Sequence, residues 1–112
     1  MPRFHQLKIL KMFVYNITFK IENEYLQEWM DWAKNEQIPA ILDTGCFYDY
    51  RFYELMEMDE EDGRTFVIQF LANSKSDYNR YKELYHTAFR HRSVEKWKDH
   101  VISFRTLLKN VE

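Results

Sequence analysis

The stretch from Cys46 to Ala72 reads CFYDYRFYELMEMDEEDGRTFVIQFLA. Its first part, Cys46 to Glu57, is dense in aromatic residues, a composition that suits a pleated, half-buried surface. Its last part, Thr65 to Ala72, is an apolar run of strand length. Between them lies the acidic segment MDEEDG, whose Asp62-Gly63 pair signals a hairpin turn. Two strands joined in this way are antiparallel neighbours, and the chain on either side is helical in pattern.

Upstream, Phe13 to Ile21 (FVYNITFKI) alternates. Phe13, Tyr15, Ile17, Phe19 and Ile21 share one face and Val14, Asn16, Thr18 and Lys20 the other, the signature of a half-buried strand. Asn23 then caps a helix with Glu24 in its first turn. Leu26, Trp29, Met30 and Ala33 form one apolar stripe. Pro39 disfavours helical geometry at Ile38, so the helix is expected to bend or stop there, with Ile41 and Leu42 in one further short turn before Gly45. Downstream of the hairpin, Ser74 or Ser76 opens a second helix with Tyr81, Leu84, Tyr85, Ala88 and Phe89 on one face. RHRSVEKWKDH reads as a polar, partly helical connection anchored by Trp97, and Val101 to Leu108 (VISFRTLL) as the closing strand. The order β-α-β-β-α-β predicts an α+β, ferredoxin-like domain with a four-stranded antiparallel sheet.

The composition agrees. The chain has 112 residues, 46% of them hydrophobic and 18% aromatic, enough for one cored domain. A net charge of −2 argues against a dedicated nucleic-acid partner, because the basic FRHRSVEKWK is offset by the acidic EMDEED. One cysteine excludes an internal disulfide and suits a reducing compartment. The opening MPRFHQLKILKMFVYNITF is interrupted by Lys8, Lys11 and Asn16, so it predicts neither a signal peptide nor a membrane anchor. A cytoplasmic location is the expectation.

EWMDWAKNEQIPAILDTGCF and FRTLL resemble the small bacterial domain-of-unknown-function family 4286. Trp29, Trp32, Ile38, Pro39, Leu42, Thr44 and Gly45, then Phe104 to Leu108, carry the likeness, which extends over Met12 to Glu112. The resemblance implies that residues 1–11 are a poorly ordered extension and 12–112 the single domain. It also implies a homodimer of the dimeric α/β barrel type, with two sheets packed face to face, and no assigned activity. One departure bears on chemistry: Gln37 stands before Ile-Pro where the family often has histidine. Glutamine hydrogen-bonds but does not titrate near neutrality.

Candidate site residues follow from the strand faces. Helices cover one side of such a sheet. Tyr15, Ile17 and Phe19, then Phe66, Ile68 and Phe70, suit that side. On the closing strand Ile102, Phe104 and Leu108 are assigned to it as well, leaving Ser103, Arg105 and Leu107 opposite. Asn16, Gln69 and Arg105 are then expected to converge on the uncovered face, joined by Arg51 or Asp49. In a dimer they would line a cavity between two sheets suited to a small anionic ligand. The plainer reading pairs Arg105 with a carboxylate across the interface. Gln37, just ahead of the joint IPAILDTGCF, and Thr44 within it are further ligand-binding candidates, the joint being placed at a pocket mouth. Cys46 lacks a basic neighbour in sequence and reads as a core thiol.

Other chemistry is sparse. His86 and His91 are five apart, not the four of a helical zinc pair, and only His86 is retained as an acid–base group. No metal site, cofactor, nucleotide loop or nucleophile motif is implied. The expected function is a small-ligand-binding dimer. The alternatives are a cofactor-independent dimeric-barrel enzyme of monooxygenase or isomerase type, and a purely structural dimerisation module.

Overall fold

The computed structural model describes residues 12–112; the expectation for residues 1–11 lies outside them. Strand β1 (Phe13–Ile21) is followed by a helical segment, then β2 (Asp49–Glu54), β3 (Arg64–Ala72), a second helical segment and β4 (Val101–Lys109). The sheet order is β2-β3-β1-β4, with every neighbouring pair antiparallel. This is the ferredoxin-like α+β arrangement the sequence predicts.

Alternation in β1 dictates which side packs. Tyr15↔Phe70, Ile17↔Ile68 and Phe19↔Phe66 are opposed across β1 and β3, so all six point toward the helices. Trp29 seals this layer, its ring 5.0 Å from Phe19 and 5.8 Å from Phe66. Phe47 stacks on Tyr15 at 5.9 Å, and Trp97 meets Trp32 edge-on at 5.7 Å. Each fully buried large side chain of this kind contributes about 1.5–3 kcal/mol through removal of apolar surface from water. Trp97 is buried, as an anchor must be.

The first helical segment runs on where a stop or bend is expected. A 3₁₀ turn (Asn23–Tyr25) leads into α1 (Leu26–Trp32), a π turn (Ala33–Gln37) and α2 (Ile38–Leu42). The Ile38 N–H reaches Ala33 O, five residues back. That wider turn lies immediately before Pro39, which occupies the first turn of α2. Proline has no N–H to satisfy and its ring needs room on the preceding turn. The π turn supplies the room, so the helical path is retained. Gly45 (φ 76°) then reverses the chain, and Thr44 Oγ1 donates to Ile41 O at 2.7 Å. Cys46 follows, buried.

The hairpin is longer than a two-residue turn: β2 ends at Glu54 and β3 begins at Arg64. Gly63 serves a different purpose, lying hard against the end of β1. Ser74 caps α3 (Lys75–Leu84), accepting from the Asp77 N–H at 3.1 Å. The helix expected to continue through Phe89 breaks at Tyr85, and a separate helix, α4 (His86–Trp97), takes in Ala88, Phe89 and most of the polar segment. Among the described residues no helix is long and apolar enough to cross a membrane.

One assignment of faces is reversed. Arg105 opposes Ile17 and Ser103 opposes Phe19, which puts Ser103, Arg105 and Leu107 on the helix side. Ile102, Phe104 and Leu108 oppose Lys20, Thr18 and Val14 on the uncovered side. Strand β4 carries apolar residues at both parities, Val101 and Leu107 on one and Ile102, Phe104 and Leu108 on the other. Hydrophobicity therefore cannot orient it; the hydrogen-bond register with β1 does.

Candidate functional site

The reversal moves the site. Of the expected cluster, Asn16, Gln69 and Arg51 do form one row on the uncovered face, through the registers Asn16↔Gln69 and Arg51↔Gln69. Gln69 Nε2 donates to Asn16 Oδ1 at 3.1 Å. Arg51 is engaged by Asp49 at 2.7 Å, which holds that carboxyl below the usual carboxylate range. Arg105 is not with them, because it lies on the opposite side of the sheet. Thr44 is used within its own turn, where its hydroxyl also accepts from the Cys46 N–H, and it is not among the residues lining the cavity beside Arg105.

Arg105 instead borders a cavity of about 190 Å³ between the sheet and the helices. The buried floor is built by Tyr15 and Phe19 of β1, Gln37 of the π turn, Ile41 of α2 and Tyr81 of α3. His86, Phe89 and Ser93 of α4 and Ser103 of β4 form half-buried walls. Arg90 and Arg105 stand at the exposed rim. No Asp or Glu contributes to the lining, and neither arginine has a carboxylate partner among the described residues. The cavity is therefore apolar below and cationic above.

The titratable groups respond accordingly. Burial pushes the Tyr15 phenol up to about 12, against the opposing pull of the Arg105 charge. Burial raises Tyr81 as well. Partial burial lowers the His86 pKa, and the positive charges of Arg105 and Arg90 lower it further. The imidazole is thus neutral at pH 7. Its Nδ1 lies 3.3 Å from the Tyr15 hydroxyl. A neutral base, a protonated phenol and two guanidiniums share one small volume.

Gln37 occupies a particular place in it. Its amide nitrogen donates to Phe89 O at 3.4 Å, tying the π turn to α4. Its carbonyl oxygen is buried and has no hydrogen-bond donor among the described residues. His86 and Gln37 both stand out in the sequence, one as an acid–base group and one as a departure from a family pattern. Arg90, Ser93 and Tyr15 were not singled out there for a site. Arg90 and Ser93 fall in the basic segment FRHRSVEKWK, which reads as a solvated helix end, and Tyr15 reads simply as core.

Solved structures share this architecture. A dimeric ferredoxin-like protein from an uncultured marine organism superposes with a TM-score of 0.69 at 8% identity, covering 91% of this chain and 97% of that one. A conserved protein from Methanosarcina mazei gives 0.68 at 13% identity, covering 94% and 98%. SnoaB, a cofactor-independent oxygenase from Streptomyces nogalater, gives 0.63 at 11% identity, covering 91% and 95%. At these identities the likeness is one of fold. No curated protein matches the chain. The model of the family described as Domain of unknown function (DUF4286) matches residues 12–111, and the chain belongs to that family.

Proposed function

We propose that this protein is a homodimer whose protomers each bind a small organic anion in the cavity between helices and sheet. The observation that carries this reading is the lining itself: two arginines and a neutral histidine over an aromatic floor, with no carboxylate among the lining residues. Guanidinium forks match carboxylates in geometry and charge, and a floor of Tyr15, Phe19 and Tyr81 accommodates the apolar part of such a ligand. The uncovered sheet face supports dimerisation. Ile102 and Phe104 are each 63% exposed there, and Leu108 44%, large apolar side chains of the kind an interface covers. The dimeric ferredoxin-like neighbour has the same fold. A cytoplasmic setting is consistent with the single buried thiol.

A second reading is favoured by one observation, the neutral His86 beside the protonated Tyr15. That pair can accept and return a proton on a bound acid without a cofactor. It suits a cofactor-independent enzyme, the class to which SnoaB belongs.

The probe for the binding reading is benzoate, titrated calorimetrically into the wild-type protein and Arg105→Gln, with native mass spectrometry recording stoichiometry. Benzoate is expected to bind once per protomer. Arg105→Gln is expected to weaken it about tenfold, the scale of one charge-assisted hydrogen bond at a partly exposed site, while the dimer persists. Absence of benzoate binding, together with no small molecule retained by the freshly purified protein, would refute the reading.

A further inference from the structure

Of the buried side-chain polar atoms that lack a partner among the described residues, two are indole nitrogens, Trp29 Nε1 and Trp97 Nε1. Neither tryptophan lines the cavity. The third is Gln37 Oε1, and Gln37 does line it, at 9% exposure. Resting on the anion-binding reading above, we infer that the ligand is a single-ring planar acid carrying a hydroxyl or N–H donor at the end remote from its carboxylate, and that Gln37 reads this donor.

Three observations converge on that shape. The first is polarity along the depth of the cavity. Arg90 and Arg105 are exposed at the rim, whereas Gln37 is in the buried floor. In the proposed pose the arginines hold the carboxylate and the opposite end of the molecule meets the amide. The second is that the amide is oriented. Its nitrogen is committed to Phe89 O, so the group left over is an acceptor, and an acceptor demands a donor on the ligand. A buried carbonyl without a donor costs roughly 1–3 kcal/mol, which a ligand hydroxyl would relieve. The third is size and shape. About 190 Å³ exceeds the roughly 150 Å³ of an apolar cavity known to admit benzene. It takes one ring with small substituents. The aromatic walls, Tyr15, Phe19, Tyr81 and Phe89, favour a flat ring over a bulky aliphatic one.

The π turn is what makes Gln37 available. Continuous α-helical winding through residues 33–37 would rotate the following side chains relative to those before them. The i→i−5 bond from Ile38 to Ala33 sets Gln37 toward α4 and the cavity, in keeping with the frequent appearance of such turns at functional sites.

The test compares benzoate, 4-hydroxybenzoate and 2-hydroxybenzoate on the full chain by calorimetry, in wild type and in Gln37→Met, which keeps the length of the side chain and removes its acceptor. In wild type, 4-hydroxybenzoate is expected to bind about tenfold tighter than benzoate. 2-Hydroxybenzoate, whose hydroxyl stays beside the carboxylate at the rim, is expected to gain nothing. In Gln37→Met the ratio of 4-hydroxybenzoate to benzoate affinity should fall to about one. The wild-type comparison stands by itself if that variant does not fold. If benzoate and 4-hydroxybenzoate bind equally to wild type, the oxygen of Gln37 is satisfied by water and this inference is wrong, with the anion reading intact. If neither acid binds, the anion reading itself fails.

Discussion

His86 is the residue through which pH reaches the cavity. The groups facing it are Tyr15 from β1, Tyr81 from α3, Arg90 on its own helix and Arg105 from β4. Its pKa lies below the ordinary 6.5, first through burial and then through the two guanidiniums. Between 6.5 and the lower folded value the unfolded chain binds the proton more readily. Folding stability from this group is therefore intact above 6.5 and declines as pH falls toward the folded pKa. Anion binding has the opposite sign, because protonation adds a third cation beside the ligand. Benzoate affinity measured calorimetrically from pH 8 to 5 is expected to rise as pH falls, and His86→Gln to flatten that rise. A flat wild-type profile would place the ligand away from His86.

At the scale of elements, the β2–β3 connection depends on a close backbone approach. A Cβ at Gly63 would lie 2.5 Å from Ile21 O and 3.0 Å from Ile21 C, and Gly63 adopts φ 152°. Both obstacles are backbone and cannot swing aside. Gly63→Ala is expected to cost about 2 kcal/mol or more, seen as a lower denaturation midpoint with an unchanged slope. The effect is one of register: Gly63 precedes Arg64, which opposes Ile21 at the end of the β1–β3 ladder. The Arg64–Glu54 pair, bidentate at 2.7 and 2.8 Å, closes the same corner across β2 and β3. Pro39 makes the complementary point. It does not end the helix, because it sits in the first turn of α2, where no N–H is needed, and the π turn ahead of it provides the space for its ring.

At the scale of the whole molecule, the two faces of the sheet have separate tasks. The helix side holds the core and the cavity, and the uncovered side presents Ile102, Phe104 and Leu108 to solvent in a single protomer. Ile102→Glu alters only the uncovered side. It is expected to convert a dimer into a monomer in sedimentation experiments and to remove any dependence of Tm on protein concentration, while benzoate still binds. A wild-type protein that sediments as a monomer at high concentration would contradict the dimer.

The sequence by itself determined the element order, the β1 and β3 faces and the burial of Trp29, Trp97 and Cys46. Strict alternation and helical spacing are local signals, and hydrophobicity aligns them with the core. It also singled out Gln37 and His86. Only the tertiary structure decided where Arg105 points, and with it the location of the cavity. Strand β4 is apolar on both faces, so its orientation depends on pairing with a strand some ninety residues earlier. A shift of one residue in that pairing exchanges every side chain between core and open face, and nothing local to β4 encodes the choice.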